Sequence, residues 1–232
     1  MLKNLKEELN AHTSPEKSKI LAGFFKTGKG QYGEGDVFLG VNVPNIRKLA
    51  KKYSNLSFNE INSLLESRIH EERLIALLIL VNNYKKDEKQ KEIIYNFYLK
   101  NTSKINNWDL VDLSADKIIG DYLSNKSKDI LYALANSDNL WERRISIIST
   151  FNFIKSNEFS ETLKIAQILL NDKHDLIHKA VGWMLREIGK RNQEIEEEFL
   201  KKHYKGMPRT MLRYAIEKFP EEKRQAYLKG EI

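Results

Sequence analysis

The chain contains no cysteine. That excludes a disulfide framework, a thiolate metal site and a cysteine nucleophile. Proline is nearly as scarce: Pro15, Pro44, Pro208 and Pro220 are the only four, so the long stretch from Asn45 to Met207 has none. Glycine is uneven, with six of its 11 copies between Gly23 and Gly40. No apolar run approaches the roughly 18 residues that a membrane-spanning helix needs. The opening MLKNLKEELN alternates charged and apolar residues and lacks the apolar core of a secretion signal, so the sequence is read as cytoplasmic.

What is present points to a helical protein with an anionic partner. There are 39 Lys and Arg against 32 Asp and Glu, a formal surplus of +7, which suits a polyanion. A hydrophobic share of 41% supports a buried core, and 232 residues fit one domain spanning 1–232. A breaker-free stretch rich in Leu, Ile, Lys and Glu reads as about a dozen consecutive helices, most of roughly 10–17 residues. Ser14-Pro15 supplies a cap and a first-turn proline. Ser57-Phe58-Asn59-Glu60 is a complete capping box, and Pro44 opens a helix carrying Ile46, Leu49 and Ala50. Phe38 to Val43 is the one short run that reads as extended.

Small residues recur mid-helix at Ala76, Ser114, Ser146, Gly182 and Ala215, each in an apolar segment. Spacings in the thirties suit paired-helix repeats of the HEAT type, because a small side chain lets the next helix approach closely. The expected architecture is an all-α solenoid of helical pairs, curved, with a basic concave face. An irregular bundle is the alternative.

Two motifs are weaker than they look. Gly28-Lys29-Gly30-Gln31-Tyr32-Gly33 matches G-x-G-x-x-G but follows a helix, with no strand–helix unit around it, and reads as a connection. His174 and His178 sit four apart, as in a zinc-binding helix. No third ligand follows at a matching spacing, so no metal and no other cofactor is expected.

The residues with chemistry gather on a few helices. Trp108 and Asp112 are about 40° apart around a helix axis and one turn apart along it, and so share a face. Asp109 lies on another face and suits the helix N-terminus electrostatically. Two readings stand for the pair: a core tryptophan beside a surface ion pair, or an aromatic and a carboxylate presented together on a concave face. Arg143 and Arg144 start a helix after Trp141. Trp183 lies three residues from Arg186, Lys179 two turns before it, and Arg209 and Arg213 repeat the theme. Taken singly these cations are solvated helix faces. On stacked helices they form a ladder that fixes a phosphate backbone, while tryptophan faces attract cations or stack on bases. A carboxylate within such a ladder repels phosphate, so Asp112 suggests a point where positive charge develops.

These segments resemble the DNA alkylation repair family of HEAT-like repeat DNA glycosylases (AlkD-like proteins) across nearly the whole chain. The likeness rests on Phe24-Phe25-Lys26-Thr27-Gly28, on Tyr32 to Asp36, and on Phe38 through Pro44 to Arg47. It continues through Trp108-Asp109-Leu110-Val111-Asp112, Trp141 to Arg144, and Gly182-Trp183-Met184-Leu185-Arg186-Glu187. The resemblance implies that Trp108, Asp112 and Trp183 face the lesion and that Arg144 and Arg186 contact DNA. Where the family often has a Tyr on an early helix, this chain has Phe24 and Phe25. It further implies excision of N3- or N7-alkylated purines from duplex DNA by a monomer, without a dedicated base pocket. Such a lesion is already cationic, so no general acid is needed and one carboxylate suffices. Asp112 would stabilise the oxocarbenium-like sugar and position water. No lysine stands beside it as a Schiff-base nucleophile, so a monofunctional enzyme is expected. Two other classes remain: a non-catalytic HEAT-like protein binding branched or damaged DNA, and a protein-binding adaptor.

Overall fold

Helix follows helix from Leu2 to Lys229 in the computed structural model, which describes residues 1–232 and contains no β-sheet. The one extended contact is an isolated parallel bridge between Val37 and Ile69. The run expected to be extended is an irregular segment up to Asn42. Val43 already belongs to a helix, because the Asn42 side chain accepts the Asn45 amide at 3.0 Å and caps it. The chain divides into two compact units, Met1–Ser114 and Ala115–Ile232.

The first unit holds α1 (Leu2–Ala11), α2 (Pro15–Phe24), α3 (Val43–Lys52), α4 (Phe58–Leu65), α5 (His70–Lys86) and α6 (Lys91–Lys100). It also holds most of α7 (Trp108–Ala115). The expected caps form. Ser14 caps α2, and Ser57 and Glu60 exchange both bonds of a capping box on α4. Helix α5 is buried almost all round, from Leu74 to Leu77 and Ile79 to Val81, which makes it the axis of this unit. Helices α3, α4 and α6 pack on it. Ile46, Leu49 and Ala50 of α3 are all buried.

The second unit begins with a π-helical turn, Asp116–Gly120, that continues α7 into α8 (Asp121–Leu123). Then come α9 (Asp129–Ala135), α10 (Leu140–Ser149), α11 (Phe151–Lys155), α12 (Ser160–Ile168) and α13 (Asp175–Gly189). The chain ends with α14 (Gln193–His203), α15 (Arg209–Ala215) and α16 (Glu221–Lys229). Many helices are shorter than the sequence suggests, because last turns tighten into 3₁₀ pieces such as Leu169–Asn171 and Ile216–Lys218. Here α13 is the axis, packed by α10, α12, α14 and α15.

The mid-helix small residues do what close packing requires. Ala76, Ser114, Ser146 and Ala215 are fully buried. A Cβ at Gly182 would collide with the Met211 carbonyl and the Tyr214 side chain, so α15 crosses α13 at a distance only glycine permits.

Candidate functional site

Helix α7 starts with Trp108, whose amide donates to the Asn107 side chain at 2.8 Å. Asn107 is fully buried, which fixes where the helix begins. The half-buried Trp108 ring stacks on Phe25 at 5.3 Å and 19°, and meets the edge of Phe24 at 5.9 Å. Phe25 is buried, whereas Phe24 is 62% exposed. Of the four aromatics expected near a lesion, Phe24, Phe25 and Trp108 form one cluster. Asp112, half-buried, lies one turn further along α7.

Behind the cluster is a group of charges that sequence reasoning missed. His70 Nε2 lies 2.8 Å from Asp109 Oδ2, and its Nδ1 lies 3.5 Å from Asp36 Oδ2. Arg73 pairs with the same Asp36 oxygen at 2.6 Å. Burial pushes the Asp36 carboxyl up, but His70 and Arg73 outweigh it and hold the carboxyl below its usual range. Asp109 was expected to serve the helix N-terminus. It does accept the Leu110 amide at 2.9 Å, and it also ties α7 to α5 through His70. Nearby, the Glu71 carboxylate accepts the amides of Leu39, Gly40 and Val41 at 2.8–3.3 Å. Gly40 is required there. It has a φ of +81°, and a Cβ would strike the Ser14 carbonyl. The available signal was the sequence His70-Glu71-Glu72-Arg73: four charged residues opening an apolar helix, all buried.

In the second unit, Trp183 is half-buried, 5.9 Å from Phe151, and donates from Nε1 to Glu187 at 3.2 Å. Glu187 also holds Lys190 at 2.5 Å and Arg191 at 3.5 Å. Burial alone would raise the Glu187 carboxyl; the Lys190 bond and its other partners bring it below the usual value.

The cations differ among themselves. Arg144 is only 5% exposed and donates to the Leu176 carbonyl, so it braces α13. Arg143 pairs with Asp172 at 2.6 Å and donates to the carbonyls of Ser137 and Asp138. Lys179 pairs with Asp175, and Arg186 with Glu217. Arg209 and Arg213 on α15 are exposed and have no ion-pair partner. The ladder read from sequence is thus a mixture of internal braces and solvent-facing cations.

The two other motifs have local explanations. His174 caps α13 by accepting the Leu176 amide at 3.1 Å, and His178 bonds the Asp172 carbonyl at 2.5 Å. In the glycine-rich loop, the Gly28 amide donates to the Gln31 side chain at 3.0 Å and the Gly30 amide to Glu34 at 2.7 Å. Amides that a phosphate would need are already used.

Fold and site together define an all-helical repeat protein with an aromatic–carboxylate centre on α7. A family model described as DNA alkylation repair enzyme matches residues 5–219, and the chain belongs to that family. Its role is therefore in the repair of alkylated DNA. No curated protein matches the sequence. Among solved structures, the chain is similar to a "Predicted DNA alkylation repair enzyme" from Enterococcus faecalis. The TM-score is 0.70 at 18% identity, over 90% of this chain and 98% of that one, a likeness of fold. No helix is long and apolar enough to cross a membrane.

Proposed function

We propose that the protein is a monofunctional DNA glycosylase that hydrolyses the N-glycosidic bond of cationic N3- or N7-alkylated purines in duplex DNA. The observation that carries this reading is the half-buried Trp108, stacked on Phe25, with Asp112 one turn further along the same helix.

A cationic purine leaves without being protonated, so the barrier lies in the positive charge that builds on the sugar. Asp112 stabilises that charge and orients the attacking water. Trp108 offers an aromatic face to the lesion, a contact of about 0.5–2 kcal/mol, and Trp183 contributes the second. Phe24, exposed at the edge of Trp108, extends the apolar surface without the hydroxyl a tyrosine would bring. Arg209 and Arg213, with Lys179 and Arg186, supply the phosphate grip. Arg143 and Arg144 serve it by holding α13 in place.

The test is incubation of the protein with methylated duplex DNA. Free 7-methylguanine or 3-methyladenine should appear, with strands left intact until alkali is added. DNA binding with no base released would favour a non-catalytic damage binder.

A further inference from the structure

Four buried charged residues open α5, and three have evident structural work. Glu71 holds the amides of Leu39 to Val41, Glu72 pairs with Lys6 at 2.8 Å, and Arg73 bonds Asp36 and the Ser67 carbonyl. His70 is different. Its Nε2 bonds Asp109 at 2.8 Å, while its Nδ1 lies 3.5 Å from the Asp36 carboxylate and 3.5 Å from the Arg73 guanidinium. Nε2 can donate to Asp109 in either protonation state, but only the imidazolium places a positive charge between the two carboxylates. The ring also stacks on Phe38 at 4.6 Å and lies 5.0 Å from Phe25, which carries Trp108. Asp109 is the residue after Trp108 in the first turn of α7. His70 thus reaches Trp108 by two routes, one through charge and one through rings.

We propose that His70 is a positioning residue: as an imidazolium between Asp36 and Asp109 it sets the first turn of α7, and so makes the placement of Trp108 and Asp112 depend on one proton. The proposal rests on the glycosylase reading for its effect on catalysis. The groups facing His70 are Asp36 from the segment before α3, Arg73 from its own helix and Asp109 from α7. Glu71 and Lys17 share with it the wall of a cavity of about 300 Å³ that is otherwise mostly apolar. Burial opposes the charge on His70, but the bonds to Asp109 and Asp36 prevail and hold the imidazole above its ordinary 6.5. Loss of the proton leaves Nε2–H on Asp109 as an uncharged donor and so weakens that bond. Asp109, at 20% exposure, is the one able to turn to water, and the first turn of α7 loosens with it.

The experiment uses the full chain labelled with 5-fluorotryptophan and followed by fluorine NMR from pH 5 to 9. The chain has three tryptophans, and the Trp108 line is assigned by its loss in Trp108→Phe. It should shift with a midpoint above 6.5 while the Trp141 and Trp183 lines stay still, and His70→Asn should flatten it. The alkaline limb of kcat/KM for 7-methylguanine release should share that midpoint. If His70→Asn does not fold, Asp109→Asn decides, because it should lower the midpoint. A flat Trp108 line, or a titration unchanged by these variants, overturns the proposal. A titrating Trp108 line in a protein that releases no base keeps the His70 link and discards the glycosylase reading. Base release with a flat line does the reverse.

Discussion

Trp108 and Trp183 are both half-buried, yet they are held in opposite ways. Trp108 is held by rings: Phe25 stacked beneath it, Phe38 and His70 behind Phe25, and Phe24 at its edge. Trp183 is held by a polar partner, with Nε1 on a Glu187 that is itself shared among cations. Ring packing resists salt and fails when volume is lost. A charge-shared hydrogen bond resists modest volume change and fails when charge is removed. The two indoles therefore report different perturbations.

The largest expected effect breaks the first arrangement. Phe25→Ala leaves a hole under Trp108 and should cost about 3–5 kcal/mol of stability, measured by denaturant unfolding. Next comes Arg144→Ala in the second unit. It deletes a charged donor to the Leu176 carbonyl and should cost about 1.5–3 kcal/mol. If Arg144→Ala leaves stability unchanged but weakens DNA binding, its bracing role is wrong.

Protonation sharpens the contrast. Glu196, on α14, is buried without a partner for Oε1, and burial raises it to about 9 against an ordinary 4.5. The folded state then holds a proton that the unfolded state has released, so stability is full below 4.5 and falls as pH rises toward 9. Glu196→Gln should remove that fall, making the variant more stable than wild type at pH 9 by at least about 1 kcal/mol in thermal unfolding. In the first unit, the raised His70 contributes stability that is complete below 6.5 and lost as pH rises through its folded value. The lowered Asp36 contributes above 3.8 and is lost as pH falls. Asp36→Asn should therefore lower stability at neutral pH and flatten its fall on acidification, read by thermal unfolding across pH.

The smallest effects belong to the exposed cations. Arg209→Ala and Arg213→Ala should each leave stability within about 0.5 kcal/mol. Each should lower the slope of log affinity against log salt by about 0.9 if it meets a phosphate.

The sequence carried the local signals well. Caps at Ser14 and Ser57, and the close crossing at Gly182, depend on residues near in sequence or on a missing side chain, and both leave a mark in the pattern. The grouping of Phe24, Phe25 and Trp108 followed from the family resemblance. What was hidden depends on distant pairing. His70 meets Asp36 and Asp109 across more than thirty residues in each direction, and no periodicity announces that. Arg144 read as a rung of a DNA-contacting ladder, and nothing near it in sequence marks its bond to a backbone carbonyl on another helix. The π turn at Asp116–Gly120 was invisible because the same residues suit an α-helix equally well.

The proposed role of the α7 carboxylate Asp112 is to perform chemistry, not merely to help hold DNA. The direct measurement is base release from methylated duplex by Asp112→Asn, with DNA affinity measured on the same preparation. Release should fall by at least about 100-fold, the scale of losing a key electrostatic group, with affinity unchanged or slightly higher. Release at the wild-type rate, or affinity and release falling together, would contradict that role.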